Sequence, residues 1–137
     1  MPMPQIVECD YPGSAFVIWV DTRNGDADIY GTWYYSGYSN WGTNGISICT
    51  ESGNQSYPVL HKYGAYSMIA AWRDFRGGSN FDIYAQYCDY NGNMRWGTNG
   101  KSIYSGYYDQ YVTDIVDSDD GSLIFAWMDS RNMEHDI

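Results

Sequence analysis

Positive charge is the scarcest commodity in this chain. Seven Lys and Arg stand against 17 Asp and Glu, a net charge of −10 at neutral pH. A phosphate backbone would be repelled, so nucleic acid is a poor partner, and an anionic membrane surface is disfavoured for the same reason. Such acidity solvates a surface, or attracts a cation or a basic partner. There is no run of 18 apolar residues, so no helix is expected to span a bilayer. The opening MPMPQIV lacks the charged and apolar regions of a signal peptide, as the trimmed form of a secreted protein also would. Cysteine is limited to Cys9, Cys49 and Cys88, with no CxxC pair. That odd, unpatterned set argues against a disulfide framework or a zinc site and predicts buried free thiols. The two histidines, His61 and His135, have no second His or Cys at ligand spacing, so both are read as structural or exposed. Alanine is sparse and no window holds a 3.6-residue apolar period, which excludes a convincing helix.

What is abundant points elsewhere. The 137 residues include 15 Tyr, 6 Trp and 15 Gly. Tyr and Trp suit pleated, half-buried surfaces and Gly suits turns, so the expectation is an all-β protein. With 44% hydrophobic residues the chain has material for a core, and its length is that of one ordinary domain.

Order appears on a longer scale. Three segments align: AFVIWVDTRNGDADIY from Ala15, MIAAWRDFRGGSNFDIY from Met68 and LIFAWMDSRNMEHDI from Leu123. Each reads as an apolar run, then W-x-D-x-R, a polar loop and Asp-Ile. The motif residues are Trp19, Asp21 and Arg23; Trp72, Asp74 and Arg76; and Trp127, Asp129 and Arg131. Asp28, Asp82 and Asp136 close the three loops. The pentapeptide WGTNG follows twice, at Trp41–Gly45 and Trp96–Gly100, and PQIV, YPVL and VTDI from Pro4, Tyr57 and Val112 precede the three copies. A unit of about 54 residues is therefore repeated.

Within the second unit, turn signals separate four strand-like runs: Pro58–Tyr63, Tyr66–Asp74, Asp82–Tyr90 and Lys101–Ser105. Four short antiparallel strands in tandem describe a blade of β-propeller type. The expected division is blade 1 at about 4–56, blade 2 at about 57–111 and a partial blade 3 at about 112–137. The pattern W-x-D-x-R, then D-I-Y-A-Q, then W-G-x-N-G resembles tandem propeller-like repeats of secreted and cell-surface bacterial proteins. That resemblance implies a fold and an extracellular or cell-surface location more than a chemistry. The first copy departs from it at Gly31-Thr32, where the pattern has Ala-Gln. A β-trefoil would need more than 137 residues for three such units, and a β-sandwich would leave the period unexplained.

A propeller closes with 4–8 blades, and this chain carries two units and the first two strands of a third. Its first strand and its last unit duplicate rather than complement each other, so the two ends are not expected to complete one blade together. Blade faces and a strand edge near 129–137 would be left open, a template for pairing. The expectation is self-association through those faces or that edge, as a ring or a fibre, or else membership of a longer repeat protein.

Candidate chemistry is thin. Repeated residues do not converge on one place, so W-x-D-x-R is read as scaffold: a packing Trp and an Asp that accepts turn amides and pairs with the Arg. Asp21, Asn24, Asp26 and Asp28 are a weak Ca²⁺ candidate, being oxygen donors without the spacing of a known loop and with an Arg among them. No other cofactor is implied. Glu8, Glu51 and Asp89 are unrepeated carboxylates that nothing in the sequence aligns, and G-x-S-x-G, HExxH and P-loop motifs are missing. The expected protein is not an enzyme. Aromatics crowd two stretches: Trp33, Tyr34, Tyr35, Tyr38 and Trp41, then Tyr104, Tyr107, Tyr108 and Tyr111. They read first as inter-blade packing. The alternative is a carbohydrate-binding groove with Trp41, Asn44, Trp96 and Asn99 as ligand residues.

Overall fold

The computed structural model describes residues 4–131. The chain runs through eleven strands, with no helix among the described residues and hence none long and apolar enough to cross a membrane. They are β1 (Gln5–Glu8), β2 (Ser14–Asp21), β3 (Asp28–Tyr35), β4 (Tyr38–Ser39), β5 (Ile46–Cys49), β6 (Gln55–Tyr63), β7 (Ser67–Asp74), β8 (Asp82–Asp89), β9 (Lys101–Tyr104), β10 (Gln110–Asp117) and β11 (Leu123–Asp129). They form three sheets in chain order. The first is β1-β2-β3, with β4 and β5 both on β3; the second is β6-β7-β8-β9; the third is β10-β11. Every pairing is antiparallel.

The first two sheets repeat each other in register. Trp19 lies opposite Tyr30 and Asp21 opposite Asp28, as Trp72 lies opposite Tyr84 and Asp74 opposite Asp82. Even an irregularity recurs: the last strand of each unit slips in register just after Ile29 in one and Ile83 in the other. One alignment needs correcting. By pairing, Gln5 opposite Ile18 is the counterpart of Val59 opposite Ala71 and Asp114 opposite Ala126. PQIV therefore sits one residue off its expected match. The physical reason is the turn that follows: six residues separate the paired Glu8 and Ala15, whereas five separate Lys62 from Met68 and Asp117 from Leu123.

The core lies between sheets, in two layers. Phe16, Ile18, Ile29 and Ile48 of the first sheet meet Met68, Ala70, Trp72 and Cys88 of the second. On its other side the second sheet turns Ile69, Ala71, Ile83 and Ala85 towards Val112, Ile115, Phe125 and Trp127 of the third. Successive residues of β7 thus face opposite layers. This is why Met68–Trp72 is an unbroken apolar run with every member buried: a strand covered on both faces has no polar side to show. A basic side chain also spans the second junction. The Arg73 guanidinium lies 4.2 Å from the Tyr57 and Phe81 ring centres and 4.8 Å from that of Tyr111.

Each junction is held by the same staple. At the first, Asn54 Oδ1 accepts from the Ala27 amide at 3.0 Å, and the Gln55 amide donates to the Ala27 carbonyl at 2.7 Å. At the second, Asp109 Oδ1 accepts from the Phe81 amide at 2.9 Å, and the Gln110 amide donates to the Phe81 carbonyl at 2.9 Å. The residue that enters a new sheet therefore captures the β-hairpin loop of the previous one. Burial within the first layer also sets thiol chemistry. Cys9, Cys49 and Cys88 are buried and unbonded, and burial pushes Cys49 and Cys88 up to about 12. Since the thiolate is the nucleophile, a maleimide at neutral pH should leave Cys49 and Cys88 unmodified in the native chain and label both in urea. Rapid native labelling of either, read by mass spectrometry, would contradict this packing.

Candidate functional site

The repeated motif builds a clamp. In the second unit the Asp74 carboxylate, fully buried, accepts from Trp72 Nε1 at 2.8 Å, from the Arg76 amide at 2.9 Å, and from Arg76 Nε and Nη2 at 2.9 and 2.6 Å. Arg76 Nη2 also donates to the Asn99 carbonyl at 2.9 Å, and the guanidinium lies 3.7 Å from the Tyr84 ring centre. The first unit repeats the set. Asp21 accepts from Trp19 Nε1 at 3.0 Å and from the Arg23 amide and Nε at 2.9 Å each. Arg23 Nη2 donates to Asp21 at 2.5 Å and to the Asn44 carbonyl at 3.0 Å, under a Tyr30 ring 4.0 Å away. In the third, Arg131 donates to Asp129 through its amide at 2.9 Å and Nη2 at 2.7 Å. The two-pronged guanidinium fits a carboxylate, which is why Arg rather than Lys occupies the position. The hydrogen bonds from Arg23 hold the Asp21 carboxyl far below the usual range, and those from Arg131 hold Asp129 low.

WGTNG is the other half of this clamp. Its Asn carbonyl takes the Arg, and its last glycine lies against the motif Trp. A Cβ on Gly100, where φ is +76°, would stand 2.5 Å from the Ala85 carbonyl oxygen and 2.9 Å from Trp72 Cη2. The pentapeptide is pinned at its other end by the Gln86 side chain, which accepts from the Trp96 amide at 2.9 Å and donates to the Gly97 carbonyl at 2.7 Å. The departure at Thr32 keeps this function in two pieces. Thr32 Oγ1 accepts from the Trp41 amide at 3.4 Å, and Ser39, 2.7 Å from it, donates to the Gly42 carbonyl at 2.5 Å.

Each of the four ligand candidates also makes contacts within the fold. Trp41 is only 8% exposed, packed on Phe16 in the first layer, with its Nε1 donating to the Tyr90 carbonyl at 2.8 Å. Trp96 has Lys101 Nζ over its ring at 4.0 Å and Tyr87 against its edge. Asn44 receives Arg23. Asn99 receives Arg76 on its carbonyl and the Thr50 amide on Oδ1 at 3.0 Å. Trp41 is thus engaged in joining the first and second sheets, whereas Trp96 is half-buried and Asn44 exposed.

The cation candidate disperses in the same way. Asp21 is taken up by Arg23, and Asn24 donates to Asp28 at 3.2 Å and to the Tyr30 hydroxyl at 3.0 Å. Asp26 accepts from the Gly53 amide at 3.3 Å, and burial pushes the Asp28 carboxyl up. No three His, Cys, Asp or Glu among the described residues gather to hold a metal ion. Of the unrepeated carboxylates, Asp89 fastens a turn through the Asn91 and Asn93 amides and Arg95. Of the crowded aromatics, Trp33 stacks on Tyr35 and Tyr104 on Trp127, while Tyr34, Tyr38, Tyr107 and Tyr108 are exposed. His135 and Asp136 lie outside the described residues.

The features the motifs did not announce are two open sheet faces. On the first sheet, Ile6 lies opposite Val17 and Ala15 opposite Tyr34. With Trp19 they make the side turned away from the second sheet, and Ile6 is 71% exposed. On the third sheet, Ile124 lies opposite Val116, 57% and 46% exposed, again turned away from the second sheet. In the second sheet the counterparts are covered: Met68, Ala70 and Trp72 are buried and Leu60 half-buried on one side, and Ile69 is buried on the other, with half-buried His61 in the place of Val116. The alternation along each strand was the signal that could have identified them.

Two outcomes test the clamp. Gly100→Ala should lower stability in urea by about 2–4 kcal/mol through overpacking and a left-handed backbone, whereas Gly97→Ala, with φ +82° but open space around it, should cost about 1 kcal/mol. Equal losses would show that the Trp contact does not matter. Asp21 and Asp129 have folded values below their unfolded ones, so their stabilisation is complete above about pH 4 and fades as the pH falls through the folded values. The urea midpoint should drop between about pH 4 and pH 2, and less steeply in Asp21→Asn; an identical slope would dissociate the clamp from acid unfolding. Set against models of known protein families, curated protein sequences and solved structures, the chain matches none.

Proposed function

We propose that this is a non-catalytic repeat protein of β-propeller type, with the three sheets as blades. Its role is structural or adhesive, outside the cell, and it acts by stacking with further blades of its own kind. Several features support the reading. Every substantial approach between sheets passes through β6 or β10, the first strands of the second and third sheets, as in blades that converge along one side. The clamp and the staple recur with the repeat, so their residues serve assembly of the units rather than chemistry. The observation that carries the reading is the pair of open faces. One is the side that a blade turns to its predecessor and the other the side it turns to its successor, so each fits the other as the internal layers fit. Burying an Ile in such a layer is worth about 1.5–3 kcal/mol. A second copy of the chain supplies the covering blade, giving a head-to-tail ring or fibre; further repeats of a longer chain would dock by the same rule.

Two variants test the head-to-tail arrangement. Ile6→Asp should block one face and Ile124→Asp the other, each leaving a folded monomer by light scattering. An equimolar mixture should form a dimer of one chain of each kind and nothing larger, because only one intact face of each type remains. If both variants assemble like the parent, or if their mixture stays monomeric, the proposed interface is wrong.

A further inference from the structure

The two junctions differ at the end where the first strands turn into the second. At the first junction the turns of β1–β2 and β6–β7 close on each other. The Asp10 amide donates to the Ala65 carbonyl at 3.3 Å, the Lys62 ammonium pairs with Asp10, and Tyr11, Trp33, Tyr35, Tyr66 and Tyr90 pack ring to ring. At the second junction the corresponding place is an open cleft of about 530 Å³ between the β6–β7 and β10–β11 turns. Tyr63, Tyr66 and Tyr87 wall it on one side, and Asp117, Asp119 and Gly121 on the other.

Register identifies what has changed. Lys62 opposite Met68 and Asp117 opposite Leu123 hold equivalent positions in their sheets. The residue that sends an ammonium across the first cleft is thus replaced in the second by a carboxylate. No Lys or Arg lines this cleft. Asp117 is met by His61 Nε2 at 2.5 Å, and Tyr63 ties the floor by donating to the Gly121 carbonyl at 2.8 Å. The Asp119 carboxylate has no hydrogen-bond or ion-pair partner among the described residues. The second cleft therefore has aromatic walls and negative charge and lacks the ammonium that bridges the turns at the first.

We infer that the cleft between the second and third sheets binds an alkylammonium group, such as a lysine side chain presented by a partner protein. The tyrosine faces attract a cation through their ring quadrupoles, the carboxylates supply the opposite charge, and the net charge of −10 draws a basic partner towards the surface. This site is separate from the open sheet faces and does not depend on their stacking.

The test is an amide-shift titration by two-dimensional NMR with Nα-acetyl-lysine amide, and in parallel with Nα,Nε-diacetyl-lysine amide, which lacks only the charge. The cationic probe should shift Gly64, Ala65, Ser118 and Gly121 saturably, and the neutral probe should not. Raising the salt should weaken binding, and Asp119→Asn, an exposed change that leaves the packing intact, should weaken it roughly fivefold. Equal response to both probes, shifts confined to other regions, no saturable response, or unaltered binding in Asp119→Asn would each overturn the inference.

Discussion

The structure depends most on a buried carboxylate that is never left unpaired. Asp74 sits with no solvent exposure at the end of β7, where an uncompensated charge would be costly. It is compensated by Trp72, by the Arg76 amide and by a two-pronged Arg76 guanidinium. Removing one partner of such a pair costs about 3–5 kcal/mol, because the other remains charged and buried. The Arg is needed at that spot for a second task. Its remaining reach, to the Asn99 carbonyl, holds the approach to the last strand against the motif Trp. One ion pair thus joins the β-hairpin loop to the outer part of the sheet, and its recurrence at Asp21 and Arg23 makes the first two units close in the same way.

Units closed alike can be joined alike. The staple at Asn54 and Asp109 captures the hairpin loop at the residue just before Asp28 and Asp82, although that loop is one residue longer in the second sheet. The layers between sheets follow from the alternation of the strands. Small residues at Ala70, Ala71 and Ala85 leave room for the larger side chains of the neighbouring sheets. A sheet with two apolar faces is stable only between two others, which describes the second sheet.

Much of this was legible from the residues. The all-β class, the strands of the second unit and the pairing of Asp with Arg follow from periodicity, turn residues and the repeated motif. The role of WGTNG was legible only as repetition. That its Asn carbonyl meets an arginine 21 or 23 positions upstream is a contact across the sheet, which no local pattern encodes. The same holds for Trp41: an indole beside Asn and Gly reads equally well as a sugar platform and as a wedge between sheets, and only its bond to the Tyr90 carbonyl decides. The slip of PQIV was hidden because the β1–β2 turn is one residue longer than the β6–β7 and β10–β11 turns, which matching at a fixed distance from the motif Trp cannot see. The staple left a trace, Asn-Gln at 54–55 and Asp-Gln at 109–110, too short to separate from chance without the geometry.

Repetition also bears on function. A site for chemistry needs unlike groups converging on one place, and the most elaborate polar constellation in this chain is copied once per unit to hold strands together. What varies between units is the surface: an open face at each end, and a cleft at one junction that the other fills from within. The proposed assembly requires those faces to attract another sheet of the same kind. Light scattering of the unmodified chain over a range of concentrations measures that directly. Head-to-tail stacking requires a mass that is a whole multiple, greater than one, of the single chain and that falls on dilution. A chain that stays monomeric throughout while unfolding cooperatively in urea would contradict it.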